Sequence, residues 1–66
     1  MKKRSVKIMG HLTSVSLEQE FWDALKKIAE QQNISLNTLI ANIDQQKGAG
    51  NLSSALRVFV LQSLSD

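Results

Sequence analysis

Four cations, Lys2, Lys3, Arg4 and Lys7, stand among the first eleven residues with no acid between them, and the only histidine, His11, closes the run. Side chains of this kind bind phosphate oxygens by charge and by releasing the counterions that a polyanion holds. A solvated basic terminus is the plain alternative. Catalysis has much less to stand on. A hydrolase or transferase needs a base, a nucleophile and a pocket. This chain offers one histidine, serines at helix-cap positions and acids on solvated helix faces, with no carboxylate pair or Ser/His constellation at catalytic spacing. Without cysteine, a lone His11 cannot assemble a zinc site. No metal or cofactor is expected, and the chain reads as a binding protein, not an enzyme.

The elements that must position these cations belong to a chain of 66 residues, which allows one domain over 1–66 with residues 1–3 as a mobile basic arm. A domain of this size buries only about 60% of the surface its unfolded chain exposes, so a second copy is the expected remedy. Net charge is +2, from eight basic and six acidic residues, and the distribution says more than the total. The acids Glu18, Glu20, Asp23, Glu30 and Asp44 lie in the middle, while the cations gather at the start. The longest apolar runs, such as Val58-Phe59-Val60-Leu61, fall far short of the ~20 residues that cross a bilayer, and no signal-peptide pattern follows the basic start. A cytoplasmic location is expected.

Leu12-Thr13-Ser14-Val15-Ser16-Leu17 alternates apolar and small polar side chains, the mark of a half-buried strand. Thr13, Val15 and Leu17 share one face and Leu12, Ser14 and Ser16 the other. No second long strand follows, so the segment is expected to pair with its counterpart across a two-fold axis, making a ribbon narrow enough for a DNA major groove. Residues 4 to 9 form a possible earlier strand, with Val6 and Ile8 alternating against Ser5 and Lys7. Gly10 either turns that strand back into a hairpin or kinks one long extended segment.

A first helix is predicted from just after Ser16 or Leu17 to about Gln32. Ser16 and Gln19 have capping-box spacing, and Glu18, Glu20 and Asp23 sit at the positive end of the helix dipole. Phe21, Leu25 and Ile28, with Ala24 and Ala29, make its apolar stripe, and Trp22 stands beside that stripe as a core-edge or dimer-interface residue. Asn33 suits a left-handed C′ position, and Ser35 caps a second helix carrying Leu36, Leu39, Ile40 and Ile43. Gly48-Ala49-Gly50 ends that helix. It lacks the ending of a phosphate loop and follows a helix, so it is a joint. Asn51 caps a third helix over about Leu52 to Leu64, where Leu52, Leu56, Phe59 and Val60 share a face and Ala55, Val58, Leu61 and Leu64 widen it. A helix so apolar is expected to meet a second subunit. The backbone N–H groups at the start of the second helix, at Leu36, Asn37 and Thr38, have no intrahelical acceptors and attract phosphate, and Ser35 and Asn37 add side-chain donors.

Strand, amphipathic helix, short turn and Ser-capped second helix is the order of the ribbon-helix-helix family of DNA-binding proteins, and the chain resembles it. The likeness is carried by Gly10 to Glu18, by Glu20-Phe21-Trp22-Asp23-Ala24-Leu25, by Ile34-Ser35-Leu36-Asn37 and by Asn51 to Val60. These segments resemble a bacterial subfamily with an added C-terminal helix, over about residues 4 to 64. The resemblance implies a mainly α fold: short N-terminal strands, then three helices, in an intertwined homodimer with an intersubunit antiparallel ribbon. It implies sequence-specific binding of double-stranded DNA, usually for transcriptional repression. By position, Leu12, Ser14 and Ser16 would face bases, and Ser35, Leu36 and Asn37 would clamp phosphate with help from Lys2, Lys3, Arg4 and Lys7. Val15, Leu17, Phe21, Trp22, Leu25, Leu39, Ile40, Ile43, Leu56 and Phe59 would form the dimer core.

The outward strand face departs from the family pattern. Operator-reading members carry Arg, Lys, Gln or Asn there, which reach base edges with two hydrogen bonds where serine makes one. Three readings stay open: weak readout, groove contacts from Arg4, Ser5 and Lys7 on the first strand, or a module that acts mainly through protein contacts, as an antitoxin or a scaffold dimer.

Overall fold

The computed structural model describes residues 1–48 and 50–65. Two strands, β1 (Lys2–Ile8) and β2 (His11–Leu17), precede three helices, α1 (Gln19–Gln31), α2 (Leu36–Lys47) and α3 (Leu52–Ser65). The order is that of the expected fold class.

The two strands form one antiparallel hairpin, in register from Lys2 opposite Leu17 to Ile8 opposite His11. Its loop is Met9 and Gly10, both left-handed, at φ 51° and 84°. That is the geometry of a two-residue turn whose twist matches that of the flanking strands. Of the two roles open to Gly10, the hairpin is therefore the one adopted. The expectation that residues 12 to 17 find no partner in their own chain is corrected: β1 pairs along the whole of β2. Any pairing of β2 with a second copy would have to use its other edge. Lys2 and Lys3, expected in an arm outside the fold, stand in β1 opposite Leu17 and Ser16.

The first helix starts two residues later than its capping-box reading. Ser16 belongs to β2, and the N-cap is Glu18, which makes no side-chain cap bond. Instead, Gln19 reaches forward to Asp23, with its amide donating to the carboxylate at 2.8 Å. The other end is as expected. Asn33 is left-handed at φ 58°, its N–H donates to Glu30 C=O at 3.1 Å, and Ile34 N–H donates to Ala29 C=O at 3.0 Å. This paired closure satisfies carbonyls that the helix end would leave orphaned. Ser35 Oγ accepts from Thr38 N–H at 3.0 Å, and Asn51 Oδ1 accepts from Ser54 N–H at 3.0 Å, so both expected caps are present.

The inner hairpin face, with Val6, Ile8, Val15 and Leu17, lies on Trp22, Leu25, Ala29, Leu39, Ile40, Ile43, Leu56 and Val60. α2 packs on β1 and α3 on β2. Trp22 is fully buried, and Phe21 only partly so. The apolar stripe of α1 is thus rotated by one residue from the Phe21 register, because the hairpin covers Trp22 and accepts its indole: Nε1–H donates to Lys2 C=O at 2.9 Å. Of the ten residues expected in a dimer core, Val15, Leu17, Trp22, Leu25, Leu39, Ile40, Ile43 and Leu56 are buried inside one chain, and Phe21 and Phe59 pack at its margin. Within the chain, β1 supplies the strand that pairs with β2 over this core.

Candidate nucleic-acid interface

Alternation divides each strand of the hairpin between two faces. The register sets Lys3 against Ser16, Ser5 against Ser14, and Lys7 against Leu12 on the outward face. Lys3, Ser5, Lys7, Leu12 and Ser14 are exposed and Ser16 is partly so. Paired strands lie about 4.8 Å apart, so this two-stranded surface fits within a major groove about 12 Å wide. Leu12, Ser14 and Ser16 are outward as expected, and cross-strand pairing adds Lys3, Ser5 and Lys7 beside them. The cationic character that β2 lacks is supplied by β1.

The four N-terminal cations do not act as one cluster. Arg4 lies opposite Val15 and therefore on the inner side, with its guanidinium 5.4 Å from the centre of the Trp22 ring. Attraction between that cation and the face of the ring is worth about 0.5–1 kcal/mol at an exposed site. Lys2 falls on the same side as Arg4 by alternation. Lys3 and Lys7 are the two cations aligned with the outward face.

The start of α2 stands beside the free edge of β1. The Asn37 carboxamide bonds to both backbone groups of Lys7: Oδ1 accepts from the N–H at 2.9 Å, and Nδ2 donates to the C=O at 2.6 Å. Ser35 Oγ is engaged with the Thr38 N–H and donates to Thr38 Oγ1 at 2.8 Å. The side chains of Ser35 and Asn37, expected as phosphate donors, are therefore occupied within the fold. The N–H groups of Leu36 and Asn37 in the first turn keep their capacity to donate outward, since no helical acceptor precedes them. A cleft of about 220 Å³ runs between this turn and β1, lined by Arg4, Ser5, Val6, Trp22, Leu36 and Asn37. His11 sits exposed at the turn end of the hairpin.

Far from the turn, Glu18 and Arg57 join the end of β2 to α3 through an Nε to Oε1 contact of 3.1 Å. A hydrogen bond from its own backbone N–H and then the Arg57 guanidinium hold the Glu18 carboxyl below its usual range.

A ribbon-helix-helix domain model matches residues 1–64. The chain belongs to the ribbon-helix-helix domain family. Among solved structures, an uncharacterized protein from Bordetella pertussis Tohama I is 36% identical and superposes with a TM-score of 0.84 over 97% of this chain. The match covers 55% of that protein, so the present chain spans about half its length. No curated protein matches. Ribbon-helix-helix domains serve DNA-binding regulators and antitoxins and typically dimerise. No helix among the described residues of this ribbon-helix-helix chain is long and apolar enough to cross a membrane.

Proposed function

We propose that the chain is a dimeric DNA-binding protein, a bacterial transcriptional regulator acting in the cytoplasm. In this reading its hairpin lies face-down in the major groove. The observation that carries it is the outward face on which Lys3, Ser5 and Lys7 of β1 adjoin Leu12, Ser14 and Ser16 of β2. Lysine supplies a charged donor for guanine O6 and N7 or for a phosphate, each serine supplies one hydrogen bond, and Leu12 suits a thymine methyl. The first turn of α2, beside β1, presents the N–H groups of Leu36 and Asn37 to a phosphate at the groove wall, with Arg4 at the near side of the same cleft. Readout here is modest and grip on the backbone is the larger share, so affinity should depend steeply on salt. The work is binding, and no catalytic role is assigned.

Fluorescence anisotropy with duplexes from the protein's own upstream region, run beside a scrambled duplex, tests this reading. We expect submicromolar binding at about 50 mM salt that weakens steeply by about 200 mM. Absence of binding to every duplex at the lower salt would remove the DNA reading. A second reading, an antitoxin-type or scaffold dimer working mainly through protein contacts, draws on the exposed apolar residues Val58, Leu61 and Leu64 of α3. Co-purification of the product of an adjacent gene, with no DNA bound, would favour it.

A further inference from the structure

We propose that the Asn37 carboxamide is an edge cap on β1: it takes the place of an incoming strand at Lys7 and keeps the hairpin from growing into larger β-assemblies through that edge. The inference rests on the dimeric part of the proposed function only in saying where growth stops. Two copies joined at the free edge of β2 would leave β1 outermost on both sides, and the outermost strand decides whether a sheet extends further.

The direction of the backbone groups decides what the cap blocks. In an antiparallel pair, successive residues turn their N–H and C=O alternately toward the partner strand and away from it. Lys7 turns both of its groups to Asn37, away from β2. Ser5 and Lys3, two and four residues earlier in β1, therefore turn theirs the same way. The cleft of about 220 Å³ bordered by Ser5 and Asn37 leaves space along this edge. A second β1 laid alongside in antiparallel register about Ser5 would set Ser5 against Ser5, and Lys3 against Lys7 on either side of it. In each Lys3–Lys7 match the two residues would exchange their N–H and C=O groups. Asn37 already makes that exchange with Lys7, at 2.9 and 2.6 Å. With Lys7 taken, only the central Ser5 pair could form, and ordering a strand costs more than one residue pair returns.

Charge adds a second barrier in the same register. Lys3 facing Lys7 sets like charges directly opposite each other, which is unfavourable across strands. Salt screens that repulsion, since the Debye length falls from about 10 Å at 0.1 M to about 3 Å at 1 M. The side-chain amide of Asn37 carries no charge, and its bonds to Lys7 do not depend on screening. The two barriers are therefore separable: raised salt removes one, and Asn37→Ala removes the other.

Sedimentation velocity of the full chain over low to high micromolar concentration, in about 0.1 M and about 1 M salt, tests the cap, with circular dichroism to establish that each variant is folded. The wild type should hold the same size in both salts. Asn37→Ala should form larger species at the higher salt, with a stronger β signal in the amide I infrared band. If Asn37→Ala fails to fold, Asn37→Ser takes its place, because its shorter side chain cannot bond both groups of Lys7. Ser5→Pro distinguishes strand addition from aggregation of weakened chains. The proline ring removes an outward N–H, which an edge strand tolerates. Asn37→Ala/Ser5→Pro should therefore return to the wild-type size while being no more stable than Asn37→Ala. A folded Asn37 variant that keeps the wild-type size at the higher salt, or that grows equally with Ser5→Pro present, would overturn the proposal. Growth is read relative to the wild type, so a monomeric wild type would remove the dimer of the proposed function while the same comparison still decides the cap.

Discussion

The side-chain amide of Asn37 substitutes for a neighbouring strand: it donates to and accepts from Lys7 as a paired backbone would, at 2.6 and 2.9 Å. An unpaired strand edge is a template for association with other chains. Here the edge of β1 is occupied at Lys7 by a residue thirty positions away. The same two bonds fix the start of α2 relative to the hairpin, and hence the first-turn N–H groups relative to the outward face.

Asn37→Ala should therefore destabilise the fold by about 1–2 kcal/mol, the sum expected for two partly solvated hydrogen bonds. Urea unfolding followed by circular dichroism would measure it. Asn37→Asp should recover little, because its second oxygen would face the Lys7 carbonyl.

The division of the basic residues between two faces predicts unequal effects on DNA. Lys3→Gln with Lys7→Gln removes four lysines from a dimer and should lower the slope of log affinity against log salt by about 4, roughly one unit for each phosphate that is no longer neutralised. Arg4→Gln should leave most of that slope and reduce stability by about 0.5–1 kcal/mol through Trp22. Equal slopes for the two variants would show that the outward face is not the one that grips DNA.

Ser14 and Val15 are neighbours on opposite faces of β2, one exposed and the other 1% exposed. Val15→Asp should unfold the chain, since an unpaired buried charge costs several kcal/mol against a total stability of about that size. Ser14→Asp should keep the fold, by circular dichroism, and weaken DNA binding by repelling phosphates.

Glu18 predicts a pH dependence. Its folded pKa lies below the ordinary value of 4.5, first through its own backbone N–H and then through Arg57. The ionised form is the one favoured by folding, so the stabilisation is complete above the ordinary value and is lost as pH falls through the lower folded value. Urea midpoints of the wild type should drop in that acid window, and Glu18→Gln should flatten that part of the profile. An NMR titration of the Glu18 carboxyl would read the shift directly.

Met9 holds φ 51°, a left-handed conformation that costs a side chain such as methionine more than asparagine. Met9→Asn should raise stability by about 0.5–1 kcal/mol, readable as a higher urea midpoint with unchanged spectra. A lower midpoint would mean that Met9 contributes packing beyond the turn.

Local signals in the chain determined most of the elements. Alternation marked Val15 and Leu17 as inward and Leu12 and Ser14 as outward, Asn33 marked the end of α1, and Ser35 and Asn51 marked two caps, because strand period, left-handed tolerance and N-cap bonding act over a few residues. Tertiary structure decided what depends on distant partners. Phe21 and Trp22 are adjacent on a helix, and only the hairpin laid over Trp22 selects which one is buried. Gly10 permits a turn or a kink, and only the energy of pairing seven residues of β1 with β2 selects the turn. The cation cluster looked uniform in sequence, yet strand register sends Lys3 and Lys7 outward and turns Arg4 onto an indole. Asn37 looked like a donor for phosphate, and the approach of β1 commits its side chain to Lys7, since a polar group takes the partner that folding places within reach.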